Sequence, residues 1–330
     1  MTTEVYDVIG IGAGPTGLAC AIEAKRAGLR PLVIDKGCLC NSLFHYPVNM
    51  LFFTTPERME IGDLPMTTAG GKPTRAEALK YYRRAVEHYG IETKLYEKVD
   101  RTEGSDGEFE VHTRDASGSR KEYRARKIII ATGYYDLPNH LGIPGEDLPH
   151  VSHYFNEPHP YWDQDVVVIG GKNSAAEAAL DLFRAGAHVT LVHRWPMLKS
   201  TIKYWVKPDI ENRIAEGSIA ARFNTCVSEI RPTTIVVRGA AGLEELPADA
   251  VFLLTGYHAD WDLLASAGVT LDSRGVPAYD AETFETNVPG LYVAGGALSG
   301  RDTAPIFIEN GRFHGERIVE GIARRGGNRI

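Results

Sequence analysis

Short runs of branched aliphatic residues, each closed by a glycine or an acid, alternate along this chain with stretches of helical periodicity. Val5–Ile11 is a β-rich run, interrupted by Asp7 and Gly10, and predicts a strand. Leu18–Ala27 sets Ala, Leu and Ile on one face and predicts a helix, with Gly28 placed to end it as the C′ residue. Pro31–Ile34 follows as a second strand, with Asp35 at its end. Thr74–Tyr89 reads as a helix with Leu79, Tyr82 and Val86 on one side. Phe109–Thr113 and Lys121–Ile130, separated by a Ser/Gly turn, read as a hairpin running into Ala131-Thr132-Gly133.

The same succession then recurs. Asp165–Ile169 predicts a strand, Ser174–Ala185 a helix and His188–Val192 a strand. Thr234–Arg238 with Ala250–Leu254 reads as a second hairpin, ending in Thr255-Gly256-Tyr257. The segment beyond resembles neither half and closes in a helix expected from about Thr303 to Arg324. Strand, glycine turn, helix and strand in series imply parallel sheets, so the fold class is α/β with two Rossmann-like dinucleotide-binding domains. Residues 1–135 plus 258–330 form the first domain, and residues 136–257 form the second, inserted into it.

The two turns differ in chemistry. Gly12-Ala13-Gly14-Pro15-Thr16-Gly17 has all three glycines that let backbone N–H groups approach a pyrophosphate at a helix N-terminus. Asp35 at the second strand end would accept bonds from a ribose 2′-OH and repel a 2′-phosphate, which selects FAD or NAD over NADP. In Gly170-Gly171-Lys172-Asn173-Ser174-Ala175 a lysine replaces the second glycine, and its ammonium can contact a pyrophosphate directly. No acid follows the next strand; His193-Arg194-Trp195 and Lys199 stand there instead. Arg194 and Lys199 suit a 2′-phosphate, so the second site selects NADPH.

Composition narrows the class. The 330 residues are 43% hydrophobic and 24% charged, with a net charge of −7, which provides no basic footprint for nucleic acid. No apolar run approaches the length of a membrane span, and the first strand starts too early to leave room for a signal peptide. Cys20, Cys38, Cys40 and Cys226 are too scattered for a disulfide framework, which favours a reducing cytoplasm. No His/Cys cluster has zinc-site spacing, so no metal is expected.

This arrangement resembles the flavin-dependent pyridine nucleotide-disulfide oxidoreductases of the low-molecular-weight thioredoxin reductase type. In that family the Ala131-Thr132-Gly133 and Thr286–Gly295 stretches close the FAD site, so the resemblance makes the first nucleotide FAD. It implies FAD contacts at Gly12, Gly14, Pro15, Thr16, Gly17, Asp35, Lys36, Ser42, Asn49, Val99, Thr132 and Gly133, and NADPH contacts that include Gly256. It also implies a homodimer and a domain rotation at the Gly133–Asp136 and Thr255–Tyr257 joints. The family usually carries an acid where this chain has Gly296; backbone N–H groups near Ile306 are the candidates to face the flavin instead.

Several stretches are similar to a narrower branch, the bacillithiol disulfide reductases. They include Pro144-Gly145-Glu146-Asp147-Leu148-Pro149, Gly170-Gly171-Lys172-Asn173-Ser174 and Ile306-Phe307-Ile308-Glu309-Asn310-Gly311. The resemblance implies an NADPH-oxidising enzyme that passes hydride to FAD and then reduces a small-molecule disulfide. Two departures bear on the acceptor. Val151–Trp162, where thioredoxin reductases hold a Cys-x-x-Cys, has no cysteine. Thr16 replaces the cysteine that disulfide-reducing members carry in the first turn, and threonine cannot form a mixed disulfide.

Cys38, Cys40 and His45, on the loop after Asp35, are therefore the weak catalytic candidates, and His153, His159 and His314 are further proton donors to consider. Cys20 and Cys226 read as packing residues, and the Phe52-Phe53 and Tyr134-Tyr135 pairs as walls of the flavin site or simple core. A ferredoxin- or flavodoxin-type NADP reductase and a non-catalytic flavin sensor are the alternative classes.

Overall fold

The computed structural model describes residues 4–303 and 305–326. The chain divides into two compact units: Met1–His45, Asn49–Leu137 and Tyr257–Ile330 make the first, Tyr46–Val48 and Pro138–Gly256 the second. The fold is α/β, two Rossmann-like units with the second interrupting the sequence of the first.

In the first unit, parallel strands Glu92–Lys94, Pro31–Ile34, Val5–Ile11 and Arg120–Ile130 lie side by side. Leu291–Val293 pairs with the last residues of Arg120–Ile130. These strands pack on the Pro15–Arg26 helix and share a core with Phe109 and Val111 of the antiparallel strands, so their core positions are apolar, and Ile9, Leu32, Val33, Ile128 and Ile130 are buried. Register does the rest. Ile11 lies opposite both Ile34 and Ile130, and Val293 lies opposite Ile130. Gly12, Asp35, Ala131 and Ala294 therefore emerge at one sheet edge, at the carboxyl ends of the strands, where such sheets bind ligands. Glu97–Ser105, unforeseen in the hydrophobic pattern, extends the hairpin into an antiparallel meander.

The first helix spans Pro15–Arg26 and starts earlier than its apolar face, because proline at the first helical position forfeits an N–H with no partner there. Gly28 is its C′ residue with φ +79°, and the Leu29 N–H reaches Ala24 O at 3.0 Å. The Arg75–Tyr89 helix buries Ala78, Tyr81, Tyr82 and Ala85, leaving Leu79 and Val86 only partly covered. Two phenols turn the face: Tyr81 donates to Leu64 O at 2.8 Å and Tyr82 to Met59 O at 3.0 Å.

In the second unit, Ala220–Phe223, His188–His193, Asp165–Ile169, Ala250–Leu253 and Val151–Ser152 form a parallel sheet. Ile169 opposite Val192 and Leu253 brings Gly170, His193 and Leu254 to one edge. The expected hairpin of Thr234–Arg238 with Ala250–Leu254 does not form. Thr234–Gly239 pairs with Cys226–Ile230 and Gly242–Pro247. In the first unit one strand of 11 residues, Arg120–Ile130, serves both meander and parallel sheet. Here Pro247 ends the meander, and Ala250–Leu253 resumes as a separate strand.

The closing helix also differs from expectation. A turn at Ile308–Gly311 precedes the main helix His314–Gly326, and Ala304 lies outside the described residues. Asn310 fixes this start, accepting from the Phe307 N–H at 2.9 Å and donating to Pro305 O at 2.8 Å. Ile306 therefore precedes the helix rather than opening it.

Thr74 caps Arg75–Tyr89: its hydroxyl accepts from the Glu77 N–H at 3.1 Å while Glu77 accepts from the Thr74 N–H at 2.8 Å. Replacing Thr74 with Ala should lower stability by about 1 kcal/mol in urea unfolding, and Thr74→Ser should restore most of it.

Candidate functional site

The sheet edge of the first unit carries the first glycine turn. A Cβ on Gly12 would lie 2.4 Å from Ala131 O, and one on Gly17 would lie 1.9 Å from Gly12 O, so both positions admit no side chain. Gly12 also has φ +111°. Gly14 is different in kind: a Cβ there would meet nothing within 4 Å. The turn is thus packed tightly behind and left open in front, at the N-terminus of Pro15–Arg26, which is the shape a pyrophosphate needs.

Asp35 accepts from the Ala13 N–H at 2.7 Å and the Gly37 N–H at 2.8 Å. Burial pushes its carboxyl up, and those two N–H bonds oppose the shift. A cleft open to solvent gathers Gly12, Asp35, Lys36, Val99, Thr132 and Gly133 with His258 and Asp260. Lys36 is tied to Asp136 at 3.0 Å. Gly14, Pro15, Thr16, Gly17, Ser42, Asn49, Gly296 and Ile306 do not line this cleft; Ser42 sits in the Asn41–Phe44 turn and Asn49 is exposed.

Two residues explain departures in the sequence. Thr16 is wedged: Cβ atoms built on Gly295 and Gly311 would fall 2.8 and 2.7 Å from its Oγ1. A Cβ on Gly296 would fall 2.7 Å from the Tyr134 ring and 3.2 Å from Gly133 Cα, so Tyr134 fills the space an acid would need. Nothing in the sequence pairs Tyr134 with Gly296; the match exists only once the strand ends align.

Three thiols, Cys20, Cys38 and Cys40, are poor nucleophiles where they stand. Cys40 is fully buried, and burial, with Asp35 and Cys38 nearby, pushes its thiol well up. Cys38 is half-buried and raised by burial and by Asp35. Cys20 is buried and pushed up to about 12, whereas Cys226 is exposed and is not a packing residue. His45 is exposed, its Nδ1 2.8 Å from Asn41 O. His159 is likewise exposed, and Phe52 is core while Phe53 stands edge-on to Phe307 at 5.6 Å.

His314 has a structural task. It accepts from the Gly295 N–H at Nδ1, 3.1 Å away, and stacks on Phe284 at 4.1 Å. Burial, then Arg317, lowers it to about 4.

The second turn repeats the geometry with other chemistry. A Cβ on Gly170 would lie 2.7 Å from Leu254 O, as Gly12 lies against Ala131 O. Lys172 occupies the open position that corresponds to Gly14 and is exposed. Asn173 Oδ1 accepts from the Lys203 N–H at 2.9 Å, fixing the loop before Lys207–Ala215, while Ser174 stays exposed. At the strand end corresponding to Asp35 stands His193, buried and packed so that a Cβ on Gly171 would fall 2.2 Å from its ring. Burial, then Arg194 and Lys199, lowers His193, which places both exposed cations beside it. The Lys199 N–H bonds to Gly171 O at 3.0 Å, holding its loop against the turn. Gly256, with φ +93°, accepts from the Asn139 N–H at 2.9 Å. Among the described residues no helix is long and apolar enough to cross a membrane.

The chain resembles known proteins along nearly its whole length. Residues 9–295 match the family model described as pyridine nucleotide-disulphide oxidoreductase. The chain is 45% identical over 318 residues to bacilliredoxin reductase Bdr of Bacillus subtilis, covering 96% of this chain and 97% of that one. It superimposes on the solved bacillithiol disulfide reductase Bdr of Bacillus cereus with a TM-score of 0.95 at 42% identity, covering 98% of this chain and all of that one. Thioredoxin reductase of T. acidophilum shares the fold at a TM-score of 0.78 and 23% identity, over 98% of this chain and 99% of that one.

Gly296→Ala should destabilise the protein by about 1–3 kcal/mol through overpacking against Tyr134, and Tyr134→Ala in the same chain should recover part of the loss. A second expectation concerns pH. Neutral His314 stabilises the fold fully above its ordinary value of 6.5, and that contribution is lost as pH falls through 6.5 toward about 4. The thermal midpoint should drop across this window by the equivalent of roughly 3 kcal/mol. His314→Asn, which keeps the acceptor and does not titrate, should flatten the drop.

Proposed function

The chain belongs to the pyridine nucleotide-disulphide oxidoreductase family, and we propose on that premise that its first glycine turn holds FAD and its second holds NADPH. It is an FAD-dependent NADPH oxidoreductase acting on disulfides. FAD supplies the two-electron chemistry that couples NADPH oxidation to reduction of the acceptor. The chain's own part is binding and charge placement.

One observation carries the assignment of the two nucleotides. Topologically equivalent strand ends hold a carboxylate, Asp35, in one unit and His193 with Arg194 and Lys199 in the other. Asp35 orients a ribose diol and repels a 2′-phosphate; Arg194 and Lys199 attract one. Gly12, Gly14 and Gly17 let the FAD pyrophosphate reach the helix N-terminus, and Lys172 meets the NADPH pyrophosphate at the open position of its turn.

The acceptor we propose is a small disulfide of the bacillithiol type, whose S–S bond is broken as it takes up two electrons, supplied by NADPH, and two protons to give two thiols. The name of one relative supports this class by specifying bacillithiol disulfide, while the other names a bacilliredoxin. The wedged Thr16 and the raised Cys38 and Cys40 thiols favour reduction without a mixed disulfide on this chain. The unbridged cysteines suit a cytoplasmic enzyme, and a homodimer is the assembly we expect.

Steady-state kinetics test the reading. Arg194→Ala with Lys199→Ala should raise the NADPH KM about 10–100-fold, the worth of one or two charge-assisted bonds, and leave the NADH KM unchanged. An equal rise for both coenzymes would contradict it. Wild-type turnover should be sustained by bacillithiol disulfide; turnover with ferredoxin alone would overturn the acceptor and favour the one-electron class.

A further inference from the structure

Outside both nucleotide turns, the second unit brings His140, Glu146 and His153 together. One ligand atom from each lies within 4.8 Å of the others. His140 Nδ1 is 3.4 Å and His153 Nε2 is 3.5 Å from the same carboxylate oxygen, Glu146 Oε1. The rings stand edge to face at 4.7 Å. We propose that these three side chains form a binding site for one divalent transition-metal ion of the zinc class, its fourth position open to water.

The distances favour a metal over a plain ion pair. Charge-assisted N–H···O bonds are about 2.7–2.9 Å, and both contacts here are well beyond that. Two ligands about 2.05 Å from a tetrahedral Zn²⁺ lie roughly 3.3 Å apart, close to both observed separations. In an octahedral site of similar bond length the adjacent separation would be about 2.9 Å, a poorer match.

The carboxylate is also pre-positioned. Glu146 is buried, and its oxygens accept from the Leu141 N–H at 2.8 Å and the Gly142 N–H at 2.7 Å. Hydrogen bonds to a ligating carboxylate hold it in place and are the usual outer support of a metal site. Access comes from one side: the His140 side chain is 60% exposed while those of His153 and Glu146 are 13% and 5% exposed. A metal there would staple the segment that follows Asn139 to the residue beyond strand Val151–Ser152. Asn139 itself is already held, its N–H on Gly256 O at 2.9 Å and its carbonyl accepting from Thr255 Oγ1 at 2.7 Å.

The test uses tag-free, flavin-loaded protein with Cys226→Ser, which removes the exposed thiol as a competing ligand. Calorimetric titration with zinc chloride should show one saturable equivalent and a matching rise in thermal midpoint. His140→Ala, at the exposed position, and His153→Ala should each weaken that binding at least about tenfold and abolish the thermal shift. His112→Ala, which breaks the separate Glu103, Glu110 and His112 group, should change neither. Cobalt in place of zinc should give the intense visible bands of a tetrahedral ion. Absence of saturable binding, binding indifferent to His140 and His153, binding lost with His112, or a weak octahedral cobalt spectrum would each overturn the proposal.

Discussion

In both units a carbonyl oxygen occupies the place where a side chain would begin. Gly12 lies against Ala131 O and Gly170 against Leu254 O, so each turn must cross the end of the neighbouring strand with no Cβ between them. That contact is possible only because strand register levels Ile11 with Ile130 and Ile169 with Leu253. Close backbone packing behind the turn frees its N–H groups to face forward, and the first side chain beyond the second strand then decides what they meet. The fold thus builds one kind of glycine turn twice, and the two differ in the few residues at the neighbouring strand end, which is the basis of the proposed FAD and NADPH assignment.

Those residues work by opposite electrostatics. Asp35 is locked by two backbone N–H groups in a buried setting, a fixed acceptor. His193 is locked by packing under Gly171, and its flanking cations stay exposed where a phosphate can reach them. Neither arrangement requires a moving part. The same economy holds at the last segment, where Gly295 and Gly311 make room for Thr16, and Gly296 makes room for Tyr134.

Much of this is legible in the sequence because it rests on local rules. Apolar runs gave the buried parallel strands, and the glycine spacing located both turns. Gly28 ends its helix as its φ +79° requires. The misreadings share a cause, a long-range partner that local pattern does not carry. Thr234–Gly239 and Ala250–Leu253 look like two arms of a hairpin, yet Pro247 divides meander from sheet. Leu79 and Val86 look like a core face until the Tyr81 and Tyr82 hydroxyls find their carbonyls. The placement of His193 beneath Gly171, of Tyr134 over Gly296 and of His140 and His153 around Glu146 depends on residues brought together by folding alone.

The proposed function requires the two glycine turns to hold different nucleotides, FAD and NADPH, with electrons passing from the second to the first. Anaerobic titration of the purified, flavin-containing protein with NADPH, followed by visible absorbance, tests it most directly. About one equivalent of NADPH should bleach the flavin band, because the coenzyme is a two-electron donor. A protein that takes up no flavin, or whose flavin band persists under excess NADPH, would contradict it.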